Sequence, residues 1–153
     1  MKVKDIMTVG SRTCTPDTTL AAAATLMWEG DCGVLPVLDD GELVGIVTDR
    51  DMFIALGTRN ARAAHVRVGA VATHAVSTCG PDDEVASALA TMKQARVRRL
   101  PVVDAGGKLL GIISINDIAL AAGGGGPVRD KDVVDALQEI CARHHQAAND
   151  PAA

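Results

Sequence analysis

Apolar residues along this chain fall into two alternating patterns. Leu20, Ala23, Ala24 and Met27 recur at the i, i+3, i+4, i+7 spacing of one helix face. Val34-Leu35-Pro36-Val37-Leu38 and Leu43-Val44-Gly45-Ile46-Val47 are short, nearly unbroken apolar runs, as in strands buried on both faces. Asp39-Asp40-Gly41 between them predicts a hairpin turn. Met52 to Leu56 then returns to helix. Ahead of these, Thr13-Cys14-Thr15 predicts a short strand stopped by Pro16, and Asp17-Thr18 offers the first helix a cap. The predicted unit is β-α-β-β-α. Pro36 cannot donate to a strand ladder, so its strand is expected at an edge or beside an interruption.

The unit is then written a second time. Thr78-Cys79-Gly80-Pro81-Asp82 matches Thr13-Cys14-Thr15-Pro16-Asp17, with Asp82 as the second cap candidate. Val85, Ala88, Leu89 and Met92 repeat the first helix face, Leu100-Pro101-Val102 repeats Leu35-Pro36-Val37, and Ile118 to Ala122 repeats the closing helix. The offset is 65 residues at Pro16 and 66 at Asp51, because Asp104-Ala105-Gly106-Gly107 is one residue longer than the first turn. A 153-residue chain holds one ordinary domain, and either half alone is marginal, so the halves are expected to share one core. The predicted fold class is α+β. The predicted parts are a first repeat with its connector (1–66), a second repeat (67–122), a glycine-rich linker (123–127), a C-terminal helix (128–146) and a disordered tail (147–153).

Each copy ends in the same kind of sequence, Gly45-Ile46-Val47-Thr48-Asp49-Arg50-Asp51 and Gly111-Ile112-Ile113-Ser114-Ile115-Asn116-Asp117. A hydroxyl followed three residues later by a carboxylate, where a strand runs into a helix, is a capping box: the hydroxyl caps the helix and the acid reaches back to the cap's own N–H. The same place has a second chemical use. A helix N-terminus presents unpaired N–H groups and the positive dipole end to a phosphate, and an Asp beside it can accept from the vicinal hydroxyls of a ribose.

Composition narrows the function classes. With 48% hydrophobic residues but one Trp, one Phe and no Tyr, the core is aliphatic and lacks the aromatics of a base-stacking platform. A net charge of -4 also disfavours general binding to nucleic acid. Lys2 to Met7 predicts a short lead-in with Val3, Ile6 and Met7 available to pack. No signal-like or membrane-length apolar run occurs, which places the expected location in the cytoplasm. Cys14, Cys32, Cys79 and Cys141 lack C-x-x-C spacing, and no disulfide is expected. Gly57 to Arg67, with Arg59, Arg62, His65 and Arg67, is read as a solvated connector. The stripe Val133, Val134, Leu137, Ile140, Cys141, His144 predicts a docking helix. Cys141, His144 and His145 are too few for a metal site, and no metal is assigned.

Two β-α-β-β-α units, each with an L-P-V strand and a closing G-h-h-[ST]-x-x-D, resemble a tandem pair of CBS domains over roughly residues 3 to 122, as in small stand-alone bacterial proteins. The resemblance implies repeats packed about a pseudo-twofold axis, with two clefts that take AMP, ADP, ATP or S-adenosylmethionine. It also implies pairing of two chains into a flat disc. Carried over by position, one cleft would combine Thr48, Arg50 and Asp51 with Val97, Arg98 and Arg99. The other would combine Ser114, Asn116 and Asp117 with Cys32, Gly33 and Val34, and Val9 and His74 would help to close the pockets. The implied role is a regulatory adenosyl-nucleotide sensor that modulates a partner protein, without catalysis and without an obligatory cofactor. The alternative is a ligand-free scaffold in which both Asp residues only cap helices. A homodimer is expected, partly because the C-terminal stripe finds no room in a two-repeat core.

Overall fold

The computed structural model describes residues 1–122 and 128–148, with side chains through Ala142. The Gly123–Pro127 linker, residues 149–153 and the side chains of His144 and His145 therefore lie outside the described residues. Five strands form, β1 (Thr8–Val9), β2 (Val34–Asp39), β3 (Glu42–Thr48), β4 (Arg99–Val103) and β5 (Leu109–Ser114). The helices are α1 (Leu20–Glu29), α2 (Asp49–Arg59), α3 (Val85–Ala95), α4 (Ile115–Ala122) and α5 (Asp130–Ala148), with single 3-10 turns at Val3–Asp5, Ala63–His65 and Val68–Ala70. The α+β class is as expected.

The chain forms two compact units whose membership departs from the sequence halves. The Asp51 unit contains Gly10–Val76 and Ala105–Leu109; the Asp117 unit contains Met1–Val9, Ser77–Asp104 and the chain from Leu110 onward. Each has its own core, centred on Leu20, Leu35, Val37 and Val47 in one and on Met92, Leu100, Ile113 and Ile118 in the other. The single shared core expected from chain length is thus replaced by two aliphatic clusters. Val3, fully buried, joins the second cluster with Ile6 and Met7 against it, and α5 adds Val133, Ala136 and Ile140.

In the Asp51 unit β2 and β3 form an antiparallel hairpin, from Val34 opposite Thr48 to Asp39 opposite Glu42. Asp40 and Gly41 both have positive φ (48° and 87°), the pair of left-handed residues that a two-residue hairpin turn requires. The register slips between Val37 and Leu38, so Pro36 does sit beside an irregularity on a strand with one full ladder. Its other edge carries only the Cys14 bridge: Cys14 N–H donates to Pro36 O (3.0 Å) and Leu38 N–H to Cys14 O (2.8 Å). The predicted first strand has shrunk to that bridge, and Cys79 repeats it on Pro101 and Val103.

The helix starts fall one or two residues later than predicted. Thr19, not Asp17 or Thr18, caps α1 by accepting from Ala22 N–H (3.2 Å), because the Thr18 hydroxyl is engaged in the Pro16 turn, accepting from Thr15 N–H. Glu84, not Asp82, occupies the cap position of α3, and Asp82 pairs with Lys4. Nor is the connector simply solvated. Val66 and Val68 are buried in the core of the Asp51 unit, Leu20 N–H donates to Val66 O, and Arg59 and Arg67 donate to the carbonyls of Ala70 and Asp17.

Burial pushes the Cys14 and Cys79 thiols up to about 11, with Asp83 adding to the effect at Cys79, and both are free. A thiolate is the reactive form. In native protein, mass spectrometry after a short pulse of iodoacetamide is therefore expected to find Cys141, which is exposed, modified first. Cys14 and Cys79 should follow only on unfolding.

Candidate functional site

Both closing motifs fold into the same structure, one in each unit. The strand must enter its helix past a crossing backbone, and this explains the leading glycine. A Cβ on Gly111 would lie 2.5 Å from Thr8 O, and one on Gly45 3.1 Å from Thr73 O. Thr8 and Thr73 are themselves equivalent in the two repeats. Thr8 pairs with Ile112 of β5, and Ile46 of β3 exchanges hydrogen bonds with Thr73. The lead-in of each repeat therefore serves the closing strand of the other.

At the end of β3, Thr48 and Asp51 form a complete capping box. Asp51 N–H donates to Thr48 Oγ1 (3.1 Å), while Thr48 N–H (3.1 Å) and its hydroxyl (2.7 Å) donate to Asp51 Oδ2. At the end of β5 the counterparts are Asp117 N–H to Ser114 Oγ (3.2 Å), and Ser114 N–H (2.8 Å) and hydroxyl (2.7 Å) to Asp117 Oδ2. Both boxes are half-buried. Each uses one carboxylate oxygen, and among the described residues nothing donates to Oδ1 of either Asp. An ionised carboxylate is acceptor-only, with about four lone-pair sites, so capping leaves each Asp with capacity for a diol.

The residue before each L-P-V strand is held against the start of the helix in the same unit. Asp49 N–H donates to Gly33 O (3.1 Å), and Ile115 N–H to Arg98 O (2.9 Å). Cys32, Gly33 and Val34 are thus brought to Thr48 and Asp49, and Val97, Arg98 and Arg99 to Ser114 and Ile115.

The two corners differ in charge for a reason the sequence pattern did not single out. Asp49 turns its carboxylate onto its own helix start, accepting from Arg50 N–H (2.7 Å), and it packs so closely on Gly33 that a Cβ there would lie 2.7 Å from Oδ2. That N-terminus is already neutralised. Ile115 stands in the place of Asp49 in the other unit and offers Asn116 no such acceptor. Arg98 is exposed and Arg99 half-buried there, and neither forms an ion pair among the described residues. The sequence signal for Asp49 was available, an acid at the first helical position, but it was masked by the stronger Thr48–Asp51 pattern.

Two grooves border these residues, both within the Asp51 unit. One of about 240 Å³ runs beside Asp51, Ile54 and Thr58 of α2 and Val71. The other, about 590 Å³, lies between α1 and α2 and includes Cys32, Gly33 and Asp49 in its wall. His74 and Val9, the suggested pocket closers, are exposed, and the His74 ring hydrogen-bonds Val44 O (3.1 Å). No cluster of His, Cys, Asp or Glu among the described residues is arranged to hold a metal ion.

Residues 3–58 and 68–124 each match the model of the CBS domain. The chain belongs to the CBS domain family. As a CBS pair it is similar to the CBS domain-containing protein YhcV of Bacillus subtilis (strain 168), with 35% identity over 118 residues that cover 77% of this chain and 83% of that protein. Among solved structures it is similar to the CBS domain pair of protein MJ0100 in complex with 5'-methylthioadenosine and S-adenosyl-L-methionine. The TM-score is 0.74 and the identity 28%, with 82% of this chain and 98% of that one covered. CBSX2 in complex with AMP gives a TM-score of 0.70 and 31% identity, covering 80% of this chain and 96% of that one. Within the CBS match lie both capping boxes and both L-P-V strands. The helix α5 lies beyond it.

Proposed function

We propose that this CBS pair is a regulatory module that binds an adenosyl ligand and, by favouring one conformation over another, modulates a partner protein. A ligand shifts such an equilibrium only by its difference in affinity for the two states. The observation that carries the proposal is the open Oδ1 of Asp51 and of Asp117, each carboxylate held in place by its own capping box. The adenosyl ligands of the MJ0100 and CBSX2 pairs support it. The grouping of Thr48, Arg50 and Asp51 with Val97, Arg98 and Arg99, and of Ser114, Asn116 and Asp117 with Cys32, Gly33 and Val34, belongs to the same proposal.

Charge then separates the two groups. Arg50, Arg98 and Arg99 suit a phosphate chain, since guanidinium forks onto phosphate oxygens. Cys32, Gly33 and Val34 have Asp31 and Asp49 beside them and suit an uncharged or cationic adenosyl group. AMP, ADP or ATP is assigned to the first group, S-adenosylmethionine or 5'-methylthioadenosine to the second.

A calorimetric titration with these nucleotides and with S-adenosylmethionine tests the proposal. At about 100 times Kd a ligand adds about 2.7 kcal/mol of stability, a rise of about 5 to 10 °C in Tm for a chain of this size. Arg99→Ala is expected to remove most of the ATP-induced rise and little of any rise with adenosine. Equal losses would show that Arg99 supports the fold and reads no phosphate. Absence of any heat or shift across the panel would leave the ligand-free scaffold.

A further inference from the structure

The duplication supplies an internal control for one surface. In the Asp117 unit, α5 lies over the face formed by α3 and α4. Val133, Ala136 and Ile140 are buried there in one cluster with Leu89 and Ala122. The sequence stripe that had argued for an intermolecular role is thus satisfied within its own chain. In the Asp51 unit the corresponding face, α1 with α2, carries no covering helix among the described residues. Ala24 stands in the place of Leu89 and is exposed; Leu56 stands in the place of Ala122 and is only half-buried.

That uncovered face holds the only Trp and the only Phe of the chain, and both project into solvent, Trp28 87% exposed and Phe53 79%. Between them runs the groove of about 590 Å³, with Ala24, Met27, Met52 and Leu56 in its wall. The covered face has Lys93 and Ala119 at the two aromatic positions. Large aromatics gain most from burial and dominate interface energetics, so their concentration on the one face without a cover is informative.

We infer that the α1–α2 face is an isologous interface, with a second copy of this chain as its occupant. A single helix lying in the groove, as α5 lies on the other unit, would be obstructed by the projecting rings. For a copy related by a twofold axis those rings are the filling. Each face offers both the knobs, Trp28 and Phe53, and the hole between them, which is the self-complementarity that a C2 contact demands. A twofold axis through the middle of the groove also sets the acidic end, Asp31 and Asp49, of one copy away from that of the other. Because α5 already occupies the matching face of the Asp117 unit, the contact joins Asp51 unit to Asp51 unit. This goes beyond ligand binding and does not depend on it.

Trp28 is its own reporter. Sedimentation velocity on the full chain, followed in parallel by tryptophan emission, is expected to show a dimer. As concentration rises, emission should shift to shorter wavelength and lose its quenching by iodide with the same midpoint. Phe53→Ala and Trp28→Lys install what the other unit carries at these places, so the fold should accept them. Each is expected to raise the dimer dissociation constant at least about 10-fold. A monomer at high micromolar concentration overturns the inference. So does a dimer whose Trp28 stays fully quenchable, or one whose dissociation constant neither variant changes. A monomer that cosediments with phosphatidylcholine vesicles would assign the face to a lipid surface, and equally overturns it.

Discussion

Asp51→Ala is expected to weaken binding of a phosphate-bearing adenosyl ligand by about 10- to 150-fold, the loss of one to two hydrogen bonds to a charged acceptor worth about 1.5 to 3 kcal/mol. The same substitution also removes the acceptor for Thr48 N–H and the Thr48 hydroxyl, so stability should fall as well, by about 0.5 to 2 kcal/mol as for a lost helix cap. Asp51→Asn separates the two effects. Its amide oxygen still accepts from Thr48 N–H and keeps much of the cap, while the negative charge that strengthens both ribose hydrogen bonds is gone. Calorimetric titration should therefore find Asn nearly as damaging as Ala to affinity, whereas urea denaturation should find it closer to the native protein. The reverse ranking, with stability lost in both variants and affinity kept, would mean that Asp51 caps α2 and does nothing else.

The second large effect is expected at Gly111. A methyl group there has no room: the contact with Thr8 O at 2.5 Å is far inside van der Waals distance and the obstacle is backbone, which cannot rotate away. Gly111→Ala must push β1 off β5, and with it the lead-in that carries the fully buried Val3. Overpacking of this kind costs about 1 to 3 kcal/mol. Gly45→Ala meets Thr73 O at 3.1 Å and should cost less, since a shift of a few tenths of an ångström relieves it. The order, Gly111 above Gly45, can be read from urea midpoints. Hydrogen exchange should show protection lost at Thr8 and Val9 in the first variant. Equal midpoints for the two variants would refute the steric account.

Much of this was legible in the sequence because it is written in short-range patterns. The Thr48–Asp51 and Ser114–Asp117 boxes span three residues, the Asp40-Gly41 turn two, and the helix faces two turns each. What escaped depends on contacts between distant segments. Nothing in Met1–Val9 states that it pairs with the closing strand of the other repeat, and nothing in Val66 or Val68 separates a buried connector from a solvated one. The Ala24 and Leu89 positions show the same limit. Both belong to the predicted helix face, yet one is exposed and the other buried, and the difference is made by α5 more than forty residues away. At the site, the box residues were found by spacing, whereas Asp49 acquires its role from the approach of Gly33, which only folding brings about.

The exchange of lead-ins bears on ancestry. Divided at the sequence boundary, neither half retains the segment that its own closing strand pairs with, Thr8 for β5 or Thr73 for β3. A solitary β-α-β-β-α module can complete that pairing only by trading arms with a sibling molecule, which requires two chains to meet in solution. Tandem fusion of the gene turns the trade into an intramolecular step at the high effective concentration of a tether. Once the halves share a polypeptide, each is also free to diverge: one gained a C-terminal lid, and the other kept its aromatic face.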